Sequence, residues 1–430
     1  MQNLCLFPEM QMDDALRGGG QSTTFADNMR LPVHRWFRFS AGFSAEWVRE
    51  VITQRKLPRS ATVLDPFAGS GTTLLACQNC GVNSVGLEAH PFLVRIAAAK
   101  LKCTASTDSF RDHARRILRQ AEGYDRHLQH EYGKLIHACF PEPILADLDA
   151  VRTAWERLAD DSSATYLSWL ALTAALRISS PVGTAQMELI QPKKRKTSNL
   201  PPFVAFWMQV ENMCDDMRAF QRADLGEAVL YRDDARVCAS VPDESIELVI
   251  TSPPYANNYD YADATRLEMS FWGEVNGWAD LQSTIRKYLI RSCSQHASAE
   301  RLDLGVLLAD PDLSCIRTGL APVCRDLDRE RLSHGGNKKY HLMVAAYFAD
   351  MAKVWHALRR VCRAGVSACF VVGDSAPYGV YVPVHEWLGE LALSAGFSRY
   401  TFERTRDRNT KWKNRKHRVP LCEGRLWVQG

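Results

Sequence analysis

No uninterrupted apolar run in this 430-residue chain reaches the roughly 18 residues a membrane-spanning helix needs, and the stretch LSWLALTAAL is too short. The opening residues, MQNLCLFPEM, lack the basic, then apolar, then small-residue order of a secretory signal, so a cytoplasmic protein with no membrane partner is expected. The thirteen cysteines are odd in number and irregular in spacing, which argues against a disulfide framework and for free, mostly buried thiols. Cys77 and Cys80 are the one close pair, and no second pair exists to complete four ligands, so no metal is expected. Charge is also nearly balanced: a formal +4 permits contact with a polyanion without demanding it, and local charge must decide.

What is present is ample core material. At 46% hydrophobic content the chain can fill one large domain or two ordinary ones. Residues 1–30 are polar, carry Gly18-Gly19-Gly20 and show no sustained period, which predicts a flexible leader. Ser44 then caps a helix carrying Trp47, Val48 and Val51, and Ala61 to Leu64 reads as a buried strand. A glycine turn, a short apolar helix and the strand VNSVGLE follow.

From 105 to 225 the periodicity becomes helical, clearest in Ile144, Leu148, Val151, Trp155 and Leu158, a core stripe by default. The basic run Lys193 to Lys196 is most simply an exposed loop. Strand signals return at EAVLYRDDA and SIELVITSPPY. The stretch 273–340 has no strong period. A helix through Tyr347, Met351, Val354, Leu358 and Val361 is expected to stop at Gly365, before the strand SACFVVGDS, the helix HEWLGELALSAGF and a last strand, GRLWVQ. Helices alternating with apolar strands imply an α/β fold, a mostly parallel sheet covered on both faces, with 105–225 inserted as a largely helical block.

The turn after the first strand is DPFAGSGTT. Glycines there let backbone N–H groups approach a ligand at the carboxyl edge of the sheet, making Gly69 and Gly71 a pocket floor. Glu88, about 20 residues on at the end of the next strand, stands where an acid usually binds ribose hydroxyls. The plain alternative is a tight turn and an unrelated surface glutamate. The turn is not GxGxxG, since Leu74 replaces the third glycine, so a nicotinamide enzyme is unexpected.

With TSPPY at Thr251 to Tyr255, DPFAGSGTT resembles the S-adenosylmethionine-dependent DNA methyltransferases that modify exocyclic amino groups, and specifically the cytosine-N4 branch. The resemblance covers about 40–110 and 228–430. It implies a Rossmann-like class I methyltransferase sheet, with a catalytic domain made of 31–104 and 226–430. It implies that S-adenosylmethionine is held by Asp65, Pro66, Phe67, Gly69, Ser70, Gly71, Thr72, Glu88 and Thr251, with Asp234 near the adenine and HRWFRFSAGFS as the N-terminal cofactor motif. The catalytic residues would be Ser252, Pro253, Pro254 and Tyr255.

The chemistry suits those residues. The amine of cytosine is a poor nucleophile because its lone pair is delocalised into the ring. Acceptors such as the Ser252 hydroxyl and the Pro253 carbonyl favour rehybridisation of the nitrogen. Two prolines fix that carbonyl without reorganisation. Tyr255 offers a ring face to a base flipped from the duplex, stacking worth about 1–3 kcal/mol. A sulfonium methyl donor needs neither a covalent cysteine nor a metal.

Ser252, where the adenine-directed branch typically has an acid or asparagine, favours cytosine. Adenine-N6 methylation, methylation of an RNA amino group and a non-catalytic DNA-binding subunit are the other readings. Three segments compete to contact double-stranded DNA: 105–225, the irregular insertion 273–340, and the tail with Arg404, Arg406, Arg408, Lys411, Lys413, Arg415, Lys416 and Arg418, where Tyr400 and Trp412 interleave. A cognate restriction or defence partner would accompany such an enzyme.

Overall fold

The computed structural model describes residues 25–184, 189–220, 224–257, 259–299, 301–408 and 419–430. Part of the expected leader is built into the domain. Phe25–Arg30 forms a 3-10 helix in which Asn28 donates to the Phe43 carbonyl at 2.8 Å and accepts from the Ala45 amide at 2.9 Å. Residues 1–24 lie outside the described part.

Helix α1 (Ala45–Arg55) starts at its expected cap, the Ser44 hydroxyl accepting from the Trp47 amide. Strand β1 (Thr62–Asp65), helix α2 (Thr72–Asn79), strand β2 (Asn83–Leu87) and helix α3 (Pro91–Lys100) form the strand, glycine turn, helix, strand unit of the sequence. The inserted block contains α4 (Thr107–Glu122), α5 (Lys134–Cys139), α6 (Glu142–Leu158), α7 (Ser163–Ser179) and α8 (Pro202–Phe220). It is not purely helical, because β3 (Val182–Thr184) and β4 (Ile190–Arg195) pair as an antiparallel ribbon that carries the basic run. β5 (Ala228–Tyr231) and β6 (Ile246–Thr251) return the chain to the main sheet.

The stretch 273–340, read as irregular, is built largely of short helices: after α9 (Arg266–Phe271) come α10 (Trp278–Thr284), α11 (Ser294–Ala299), α12 (Leu304–Ala309) and α13 (Arg317–Ser333). Each of the first three is too short to show a period in sequence. Helix α14 (Tyr340–Val361) ends four residues before the expected Gly365, which instead takes φ +76° inside β7 (Cys362–Gly373), where the register with β6 shifts. Glycine there serves a bulge and not a helix stop. After α15 (Val384–Ser394), the start of the supposed basic tail is a strand, β8 (Arg399–Arg408), paired antiparallel with β9 (Leu421–Gln429). Lys411, Trp412, Lys413, Arg415, Lys416 and Arg418 lie outside the described residues.

The seven strands run β5-β2-β1-β6-β7-β9-β8, all parallel except β9. This is a mixed α/β sheet of Rossmann-like type. Chain order reverses between β1 and β6, which opens a crevice at their carboxyl ends. One apolar core joins the inserted helices to α3, α9 and the segment 33–39; a second packs α13–α15 on one face of the main sheet, and a third packs α1 and α2 on the other. The insertion is anchored by Asp216 of α8, whose buried carboxylate accepts from the Val33 amide, the Arg35 guanidinium and the Trp36 indole at 2.6–3.1 Å. It thereby buttresses the segment leading into FSAGF. Among the described residues no helix is long and apolar enough to cross a membrane.

Candidate active site

A cleft opens at the point where strand order reverses, lined by residues from the carboxyl ends of β1, β2 and β6. The glycine turn forms one wall, with Pro66, Phe67, Gly69, Ser70 and Thr72 lining it. Gly69 and Gly71 have φ of +53° and +88°, a region that side chains rarely adopt. A Cβ on Gly69 would in addition touch the Phe39 ring at 3.5 Å. Phe39, Ala41, Gly42 and Phe43, from the segment compared with an N-terminal cofactor motif, line the same space.

Glu88 reaches this wall from the end of β2. Its two oxygens accept from the Gly69 and His90 amides, each at 2.7 Å, which fixes the turn to the neighbouring strand. Burial pushes its carboxyl up to about 7 despite those bonds. Each oxygen retains a lone pair, so the group can still accept a ligand hydroxyl. Asp234 also lines the cleft, held by the Arg236 guanidinium at 2.7–3.0 Å.

Asp65 sits differently from the expectation of a ligand contact. It is buried, and its carboxylate accepts from the Thr251 and Thr73 hydroxyls, each at 2.6 Å, and from the Phe67 amide at 3.1 Å. It ties β1, β6 and α2 together behind the cleft, and neither it nor Gly71 nor Thr251 is among the lining residues. Desolvation outweighs the three hydrogen bonds and raises its carboxyl to about 6.

The opposite wall comes from the turn after β6. Ser252 and Pro254 line the cleft, whereas Pro253 is buried and Tyr255 lies beside it. The Ser252 hydroxyl donates to the Val371 carbonyl at 3.3 Å, which leaves its lone pairs as acceptors. The Tyr255 amide donates to the Tyr261 hydroxyl at 3.1 Å, and the Arg408 guanidinium lies 5.2 Å from the Tyr255 ring centre.

Sequence reasoning missed several lining residues. Tyr261 closes the turn after β6, and Tyr288, Leu289 and Ile290 form a strap over the cleft from within 273–340. The strap is tied to the loop after β6 by a buried ion pair, Arg286 to Asp260 at 2.5 Å, and to α14 by Arg291 to Asp350 at 2.5 Å. The arginines of β8 are largely committed to partners within the fold: Arg404 to Asp407, Arg406 to Glu423, and Arg408 to the Asp374 carbonyl.

Comparison with known proteins adds to this geometry. A family described as DNA methylase matches residues 20–99, a span that includes DPFAGSGTT and Glu88. The chain is 24% identical over 448 residues to the Type II methyltransferase M.BsoBI of Geobacillus stearothermophilus, covering 93% of this chain and 86% of that one. It is 24% identical over 405 residues to the Type II methyltransferase M.AvaI of a Nostoc species, covering 87% and 81%. A short region of 70 residues, 16% of this chain and 13% of the other, is 50% identical to the Type II methyltransferase M.MjaII of Methanocaldococcus jannaschii. The solved rRNA methyltransferase aviRa of Streptomyces viridochromogenes aligns over 90% of this chain and 85% of its own, with 10% identity and a TM-score of 0.26, too loose a fit to carry an argument. The family match and the relatives that span most of the chain support a DNA amino-methyltransferase.

Proposed function

We propose that this protein transfers a methyl group from S-adenosylmethionine to the exocyclic N4 amine of a cytosine flipped out of double-stranded DNA. The observation that carries the reading is the convergence on one cleft of the glycine turn, Glu88 and Ser252, which reach it from β1, β2 and β6. The cleft suits the cofactor. Phe39, Phe43 and Leu93 offer apolar surface, Glu88 offers acceptors for ribose hydroxyls, and the Gly69–Ser70 backbone permits close approach. When bound, the sulfonium supplies an electrophilic methyl group.

The protein's own task is then positioning. Ser252, whose proton is given to Val371, accepts from the amine as its nitrogen becomes tetrahedral. Pro253 and Pro254 hold that turn rigid, and Tyr255, backed by Arg408, presents a ring to the flipped base. The relatives' description as Type II methyltransferases supports a place in restriction-modification, beside a nuclease that reads the same site.

Transfer of labelled methyl from S-adenosylmethionine to duplex DNA, followed by separation of the nucleosides, tests the reading. Label in N4-methylcytosine is the expected result. Label in N6-methyladenine would overturn the assignment of the base, and label only in RNA would overturn the assignment of the substrate.

A further inference from the structure

Three side chains of different chemistry converge just beyond the catalytic wall: Asp374, at the carboxyl end of β7, His385, near the start of α15, and Cys422, in β9. Their ligand atoms all lie within 4.8 Å of one another. The His385 Nδ1 is 3.0 Å from one Asp374 oxygen, and the Cys422 sulfur is 3.1 Å from the other. We propose that Asp374, His385 and Cys422 form a three-residue binding site for a divalent cation of zinc type.

The donor set selects the ion. One imidazole nitrogen, one sulfur and one carboxylate form a mixed set that zinc accepts and that magnesium or calcium, which prefer oxygen alone, does not. The arrangement is preorganised by groups outside the set. The His385 ring is stacked on Phe402 at 3.9 Å between centroids and 19° between planes, which fixes the direction of Nδ1. The Tyr381 hydroxyl donates to Asp374 at 3.1 Å, orienting the carboxylate from the second layer.

The sulfur contact itself is tight. Other thiols among the described residues lie 3.3–3.9 Å from their acceptors, as expected of a weak donor, whereas Cys422 is drawn closer to a carboxylate oxygen. The arginines around the cluster have acidic partners. The nearby Arg404 is paired with Asp407, and Arg408 lies within 3.9 Å of Glu423. An aspartate and a thiolate would balance a divalent charge.

Sequence spacing conceals the site, because its members come from three separate elements. Its consequence reaches the catalytic wall through Arg408, which donates to the Asp374 carbonyl at 2.7 Å and lies over Tyr255. An ion that fixes Asp374 fixes this support.

The test is titration of the chelator-treated full-length chain with Co²⁺, read as thiolate-to-cobalt charge-transfer absorption. The expected result is a band that saturates at one equivalent, disappears in Cys422→Ser and is competed by Zn²⁺. Thermal unfolding provides a second measurement, in which Zn²⁺ raises the midpoint of the parent chain and of a folded control, Cys315→Ser, but not of Asp374→Asn. No saturable band, an equal band in Cys422→Ser, or an equal thermal shift in Asp374→Asn would overturn the site. Affinity in Cys422→Ser should fall by more than about tenfold, the change that even second-layer disturbance of a metal site produces.

Discussion

The Thr251 hydroxyl donates to the Asp65 carboxylate at 2.6 Å, joining the last residues of the two central strands, one feeding the glycine turn and the other the Ser252–Tyr255 turn. Asp65 therefore sets the distance between the two walls of the cleft, and it does so from behind them. Replacing Thr251 with valine keeps the shape and removes one donor from a buried carboxylate. Stability should fall by about 1–3 kcal/mol in chemical denaturation, and cofactor binding by calorimetry should weaken with it. Unchanged stability would show that Asp65 does not depend on this bond.

One acid of the cleft and one behind it give a pH signature. Asp65 and Glu88 hold their protons more tightly in the folded chain, at about 6 and about 7, than ordinary carboxyls do. Their contribution to stability is therefore complete below about pH 4 and lost as pH rises through those values, roughly 3 kcal/mol for each. Cofactor affinity runs the other way, because an ionised Glu88 is the better acceptor. Affinity is expected to rise as pH passes from 6 to 8, and Glu88→Gln should bind weakly with a flat profile. A parent profile as flat as that of Glu88→Gln would remove Glu88 from the ribose contact.

Asp260 and Arg286 form the buried link between the loop after β6 and the strap Tyr288–Ile290. Arg286→Met leaves Asp260 uncompensated and should cost about 3–5 kcal/mol in thermal unfolding. Asp260→Asn, which keeps a hydrogen-bonding partner, should cost less while raising KM for S-adenosylmethionine and lowering kcat together, since cofactor cover and base turn share this bond. A change confined to one constant would mean that the two move independently.

The parts legible in the sequence were those with a local signal. Apolar runs and Gly69 and Gly71 marked β1, the turn and the neighbouring strand, and the prolines marked the end of β6. The role of Asp65 was hidden because its partners Thr73 and Thr251 lie 8 and 186 residues away. The strap was hidden because short helices leave no period around Tyr288–Ile290. Strand β8 was masked by its charge, as edge strands often are, yet the alternation of Tyr400 and Phe402, both packed on the core, was a signal that could have found it. That strand also accounts for the paired arginines, leaving the rest of the basic run as the stronger candidate for phosphate binding.

Reversing Lys413, Arg415 and Lys416 to glutamate should therefore weaken DNA binding and flatten its dependence on salt, by a slope of up to about 0.9 for each phosphate no longer neutralised. Arg404→Ala and Arg406→Ala should have smaller effects on that slope. Equal slopes in the triple variant and the parent chain would assign the DNA backbone to another segment, with the β3–β4 ribbon and its Lys193 to Arg195 next to be changed.

The most direct measurement is mass spectrometry of nucleosides from the DNA of cells making the intact protein, beside cells making Ser252→Ala. N4-methylcytosine in the first and its loss by about 10²–10³-fold in rate in the second is the expected result, with cofactor binding retained. DNA with no methylated cytosine, or a mark undiminished in Ser252→Ala, would contradict the account.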